Sequence, residues 1–468
     1  MKKKKMKVAA ILLLMLGMII ISGQTAQAKS IKLDKKNFPC KDIRTYAKKH
    51  YDKNKDGKLS EKELKKATKI KNKIIFINSA KELNCLTKLK YLQEIDELRL
   101  KNNKSIQELA KLKKLKKLVV IDISGGVKNG HYVGKKLTKV NLKAFKNLRE
   151  VNLDAPIKKL DVSRNGKLTS IALDGTKIKK ISLKSMKNLK KLSVGKDNKE
   201  MKSVRIRKNV RTESIVIKDC PGLENITINV GDSLKELMIC NNERLNKLSL
   251  MGLNARQSVQ ISGISNVTEL IWRECDDSIL DFSQIKGLKK FVFLGKSGQK
   301  IPEIIFSMPT IEELDVSDEV VTKEINLDGM TNLKTLCWAK GVLENIILTD
   351  KSKMEYIDLS NNNLSGDWDL SEYTHLMSLY CSNNHISTIN ACHLEKLSKV
   401  DCKNNNLTRL DLYWTKGLVG IWATGNPNVE LFLPYNPYES YYGEDGCSFD
   451  KSAKVHYNPR LNPPYYWP

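Results

Sequence analysis

The chain has 468 residues, with 82 Lys and Arg against 52 Asp and Glu, 41% hydrophobic and 29% charged. That apolar share supports a packed core and excludes wholesale disorder and collagen-like structure. Ten cysteines are too dilute for a disulfide scaffold and form no close CxxC pair, so neither a metal-thiolate site nor a required disulfide is expected.

Five lysines fall within residues 1–7, a nearly unbroken apolar run covers 8–21, and Ala26-Gln27-Ala28 follows. This three-part layout predicts a secretory signal peptide over residues 1–28, cleaved before Lys29. No second apolar stretch of membrane length occurs, so the mature chain is expected to lack a membrane span. Its expected location is extracellular, secreted and within reach of the cell wall.

Residues 52–63 place Asp52, Asn54, Asp56, Ser60 and Glu63 at loop positions one, three, five, nine and twelve. Gly57 stands at position six, where the chain must bend sharply, and Lys58 offers its carbonyl at position seven. Ca²⁺ takes six to eight hard oxygens in this order, so calcium is the expected cofactor. Ile43, Tyr46, Ala47 and Tyr51 form one helical stripe, and Leu64, Ala67 and Ile70 another. Helices over 42–51 and 60–70 follow, giving an EF-hand-like N-terminal cap over 29–75. The acidic residues Asp52, Asp56, Glu61 and Glu63 are matched by Lys53, Lys55, Lys58 and Lys62. That neutrality predicts a dissociation constant on the order of 10⁻⁴ to 10⁻³ M, which suits a structural clamp better than a sensor.

From about residue 95 the pattern L-x-x-L-x-L keeps returning, as in Leu189-x-x-Leu192-x-Val194, Leu234-x-x-Leu237-x-Ile239 and Leu333-x-x-Leu336-x-Trp338. The last apolar positions of the clearest run are 338, 359, 381, 402 and 423, with weaker versions midway between them. Each coil of 21 or 22 residues therefore holds two short strand-like segments. Asn362, Asn384, Asn405 and Asn426 fall three residues after the major signature, where a buried amide can bridge the turn's backbone groups. The predicted fold is a repeat solenoid over 76–433 with roughly fifteen coils. A Tyr/Pro-rich C-terminal cap follows over 434–468, in which Tyr435, Tyr438, Tyr441, Tyr442, Tyr465, Tyr466 and Trp467 can cover the last coil. A glycine-rich insertion at 125–134 is expected to bulge from the stack.

These motifs resemble the leucine-rich repeat. The double beat is similar to that of secreted leucine-rich repeat proteins of Gram-positive gut bacteria, and an EF-hand-like cap before such repeats resembles the internalin architecture. The resemblance implies a non-enzymatic binding or adhesion protein and is silent on the ligand. The loop also partly resembles half of a dockerin. That gives an alternative reading, an accessory protein of an extracellular polysaccharide-degrading system that docks through this segment.

Charge is unevenly placed. Residues 29–210 carry 52 basic and 18 acidic residues, a net +34, whereas residues 211–468 carry 25 and 34, a net −9. Lys158, Lys159, Lys179, Lys180, Lys190 and Lys191 form a candidate polyanion patch, with Lys158 and Lys179 one coil apart and Lys190 half a coil further, on the other side. Such a field suits an anionic cell-wall polymer or a sulfated or sialylated glycan. Nucleic acid is the weakest candidate, because no aromatic platform interleaves the lysines.

Catalytic signatures are missing. The six histidines make no HExxH or zinc spacing, there is no GxSxG, and Gly134-Lys135-Lys136 lacks the first Gly and the Ser/Thr of a P-loop. A binding surface is expected instead. The residue between the last two apolar positions points outward, giving Asp315, Cys337, Asp358, Tyr380, Asp401 and Trp422 from coil to coil. An Asp/aromatic strip can recognise a protein or a glycan. The repeat leaves open which half-turn forms the broad sheet.

Overall fold

A computed structural model describes residues 30–100, 120–124, 127–128, 131–132, 139–184, 186–209, 211–296, 298–317, 320–435 and 446–461. The expected signal peptide lies outside the described residues, as do the P-loop-like Gly134-Lys135-Lys136 and the aromatic residues expected over the last coil, Tyr435 excepted. The chain divides into two compact units between Ile178 and Lys179.

In the first unit, helix Lys41–His50 leads into the acidic loop, and helix Glu61–Lys66 leaves it. Strand Ile31–Lys32 pairs antiparallel with Lys58–Leu59, the seventh and eighth loop residues. The second helix starts on a capping box between Ser60 and Glu63 and stops at Lys66, four residues short of the expected end. Beyond it, Ile70, Ile75 and Ile77 are buried in strand Lys69–Ile77, which begins inside the span expected for the cap. The β-branched run Ile74-Ile75 favours an extended chain there. Strands Glu94–Leu100, Val120–Ser124, Glu150–Asp154 and Ser170–Asp174 add to it in parallel. Of the glycine-rich insertion, Val127–Lys128 and His131–Tyr132 pair antiparallel.

The second unit is organised by a parallel sheet of thirteen strands, one per coil, from Lys180–Lys184 to Cys447–Ser448. Inward residues such as Leu314, Leu336, Ile357, Leu379, Val400 and Ile421 are buried and meet their counterparts one coil away. The opposite side is assembled piecewise. Four parallel strands from Lys191–Val194 to Ser258–Ile261 are followed by 3₁₀ turns at Asp277–Ile279, Phe282–Gln284 and Glu303–Ser307. The pair Glu324–Asn326 and Asn345–Ile347 comes next, then five strands from Ser365–Asp369 to Lys454–Tyr457.

The L-x-x-L-x-L signature marks strands on both sides of the coil. Leu192 and Leu237 lie on the piecewise side, whereas Leu336, Ile357, Leu379 and Val400 lie on the thirteen-strand sheet. Both half-turns bury an apolar strand, so the motif alone does not distinguish them. The stack also continues past residue 433, because Cys447–Ser448 and Lys454–Tyr457 pair with Gly420–Trp422 and Glu430–Leu433. Tyr435 is buried, with its hydroxyl donating to the Leu418 carbonyl.

The asparagine row ties the coils together. Asn384 Nδ2 donates to the carbonyls of Leu359 at 2.9 Å and Cys381 at 3.0 Å, while its Oδ1 accepts from Leu364 N at 3.0 Å. Asn362, Asn405 and Asn426 repeat this arrangement. Beside them Asn361, Asn383 and Asn404 take left-handed backbone angles (φ 61°, 57° and 52°) and link side chain to side chain. Asn tolerates that region better than most residues.

Candidate functional site

Strand alternation turns two rows of the thirteen-strand sheet outward. The register sets Asp315, Cys337, Asp358, Tyr380, Asp401 and Trp422 side by side, one per coil, and all six are half-buried. The neighbouring row carries Glu313, Thr335, Tyr356, Ser378, Lys399 and Gly420.

The side chains interact across coils. The Tyr356 and Tyr380 rings lie 5.5 Å apart. Burial, helped by Asp315 and Asp358, pushes the Cys337 thiol up to about 12, so it is neutral and a poor nucleophile. Burial and then Asp358 push the Tyr356 phenol up to about 12. Trp422 lies over Gly420, where an added Cβ would come within 2.7 Å of the indole ring. Asp358 Oδ1 accepts from Ser360 N at 3.1 Å, and Asp401 Oδ1 from Lys403 N at 3.3 Å. Each of these carboxylates thus spends one oxygen on the strand end, and Asp401 also pairs with Lys403 Nζ at 3.2 Å. Tyr356 belongs to this cluster and was not singled out in sequence; its signal is a position two residues before Asp358 on the same strand.

The lysine pairs fall in both units. Lys158 and Lys159 are exposed in the first unit, at the start of strand Lys159–Asp161. In the second unit Lys180 opens a strand of the thirteen-strand sheet, and Lys191 opens one on the opposite side. Lys179 is exposed, and Lys190 Nζ pairs with Glu213 Oε1 at 2.6 Å.

In the acidic loop Lys55 and Gly57 adopt positive φ, at 60° and 74°. Asp52 Oδ2 accepts from Gly57 N at 3.0 Å, Asn54 Oδ1 from Asp56 N at 3.3 Å, and Asp56 Oδ1 from Lys58 N at 2.8 Å. Glu63 accepts from Lys53 N at 2.8 Å, Ser60 N at 2.9 Å and Ser60 Oγ at 2.7 Å. Burial acts to raise the Glu63 carboxyl; these bonds outweigh it and hold the group below the usual carboxylate range. Asp52 is buried and its Oδ1 has no hydrogen-bond partner. An anionic oxygen shut away from water without a partner is costly, so this atom suits a cation. Among the described residues, however, no three His, Cys, Asp or Glu gather around a common metal position.

All ten cysteines are free thiols, and burial raises most of them, Cys85, Cys275 and Cys447 to about 12. Among the described residues no helix is long and apolar enough to cross a membrane.

No protein-family model and no curated protein matches the chain. Among solved structures it is similar to the functional domain of InlJ from Listeria monocytogenes, at 16% identity and TM-score 0.30, covering 86% of this chain and 76% of that one. The Listeria monocytogenes internalin InlF gives 15% identity and TM-score 0.30 over 84% and 97%. A Leptospira interrogans leucine-rich repeat protein gives 15% and 0.35 over 75% and 99%. At such TM-scores nothing about ligand or partner follows. Coil length, strand register and the buried asparagine row make this chain a leucine-rich repeat β-solenoid.

Proposed function

We propose that this protein is a secreted, non-enzymatic leucine-rich repeat binding protein that engages a protein or glycan partner across the outward face of the thirteen-strand sheet. The observation that carries the reading is the set of aromatic and acidic side chains Asp315, Tyr356, Asp358, Tyr380 and Trp422, fixed on four strands of one sheet. Half-buried aromatics on a rigid sheet offer contact area at little entropic cost, and carboxylates orient the partner. The double variant Tyr380→Ala/Trp422→Ala, tested against arrays of surface proteins and of glycans, should lose at least about tenfold in affinity for whatever the native chain binds. Unchanged binding would move the site elsewhere.

The N-terminal loop is proposed to hold Ca²⁺ through Asp52, Asn54, Asp56, Ser60 and Glu63 and the Lys58 carbonyl, and the orphaned Asp52 oxygen supports this. When bound, the ion would cross-link the two helices and add stability by mass action. Its test is calorimetric titration of the native chain and of Asp52→Ala, where equal heats would remove the ion. The basic residues are proposed to retain the protein on an anionic cell-wall polymer.

A further inference from the structure

Upstream of the aromatic cluster the same sheet carries a second feature. Its outward face forms a groove of about 440 Å³ whose rim bears Lys184, Arg207 and Arg273, with Thr227, Asn229 and Ser249 offering polar groups between them. None of the ten lining residues is acidic and none is aromatic. Arg205 stands exposed two residues before Arg207 on the same strand, beside Thr227.

This absence of compensation is local. Elsewhere on the face a lysine finds a glutamate one coil on, as Lys247 does with Glu269 and Lys290 with Glu313. Among the described residues Lys184, Arg205, Arg207 and Arg273 form no salt bridge. Glu274, next in sequence to Arg273, sits in a left-handed turn (φ 51°) and is not part of the lining. Residue choice is also selective. Only 12 of the 82 basic residues are Arg, and three of those stand here. Arg presents a planar fork of donors that fits the oxygens of sulfate and phosphate, whereas Lys acts as a point charge.

The spacing defines the ligand. Arg207 and Arg273 are on strands three steps apart, a separation of about 14 Å at the usual inter-strand distance. One small oxyanion cannot reach both. We propose that this groove binds a linear glycan polymer bearing sulfate or phosphate esters, laid across the strands, with successive esters on Arg207 and Arg273 and hydroxyls on Thr227, Asn229 and Ser249. The proposal rests on the polyanion reading above and gives it a defined site. A nucleic-acid strand fits less well, because no ring lines the groove for its bases to stack on.

The test uses the full mature chain on immobilised dextran sulfate, on long-chain polyphosphate and on single-stranded poly(dT), each over a salt series. Arg207→Ala/Arg273→Ala should lower affinity for the preferred polyanion at least about tenfold and reduce the salt slope by about two. Lys286→Ala/Lys300→Ala, outside both the groove and the candidate polyanion patch, removes the same charge and should cost less than about threefold. Arg207→Lys/Arg273→Lys should recover only part of the loss, since it restores charge without the fork. Dextran sulfate and polyphosphate distinguish whether sulfate or phosphate oxygens are preferred. Equal losses in the two alanine variants would overturn the groove while leaving general polyanion retention standing. A native chain that binds neither polyanion would overturn both, and tighter binding to poly(dT) would overturn the glycan assignment. All these side chains are exposed, so melting curves of the variants should overlay the native one.

Discussion

Coils over residues 357–426 and coils over 270–316 belong to one sheet, yet they are held in register by different means. In the former, narrow interiors of Leu379, Cys381, Val400, Cys402 and Ala423 are stitched by the amides of Asn362, Asn384, Asn405 and Asn426. In and just before the latter, the equivalent turn positions are the buried Leu253 and Cys275, which cannot bridge two carbonyls and an N–H as Asn does. There Trp272, Phe282, Phe291 and Phe293 fill the coil, with Trp272 and Phe282 5.5 Å apart and Phe282 and Phe291 6.1 Å apart. The back of these coils is 3₁₀ rather than strand. Polar stitching and bulky filling thus substitute for one another along a stack in which each coil leans only on its neighbours.

The sharpest way to break this comparison is to remove one support from each side. Phe291→Ala should cost about 3–5 kcal/mol, because the asparagine row does not run through the aromatic coils, where the Gln299 amide donates to the Cys275 carbonyl at 2.8 Å instead. Asn405→Ala comes next. It strips the carbonyls of Cys381 and Cys402 and the N–H of Ile386 of a buried partner, for about 1–3 kcal/mol. Chemical denaturation ranks the two, and amide exchange locates each loss. If Asn405→Ala loosened the aromatic coils as much as its own, the two regions would not be separately supported.

What could be read from sequence follows the same division. The 21–22-residue beat and the asparagine row were legible because each position repeats one physical task, burial or bridging, and the row at 362, 384, 405 and 426 sits where the spacing put it. The outward row from Asp315 to Trp422 was legible through strand alternation. Three features were not. Leu237 and Leu336 carry the same motif on opposite sides, since both half-turns bury leucine. The helix expected to reach residue 70 ends at Lys66, because Ile70 serves a strand as readily as a helical stripe. The Arg207–Arg273 groove was hidden because its members lie 66 residues apart and converge only when coils stack.

The weakest support, surface ion pairing from coil to coil, occurs in both regions, as Lys289–Glu312 in one and Lys416–Glu395 in the other, and sharpens the comparison by its indifference to the interior. Glu312 bridges three coils, accepting from Lys289 Nζ at 2.8 Å and from Lys334 Nζ at 3.0 Å. Those hydrogen bonds, Lys289 first, pull its carboxyl from 4.5 to about 2. A folded value below the unfolded one means the pair contributes above pH 4.5 and is lost as the pH falls toward 2. Melting midpoints followed across that window should therefore fall more steeply for the native chain than for Glu312→Gln. At pH 7 the variant should show the smallest loss of the three, shrinking further with added salt, because exposed pairs are screened. Parallel acid profiles would mean that the lysines merely crowd this carboxylate without stabilising the stack.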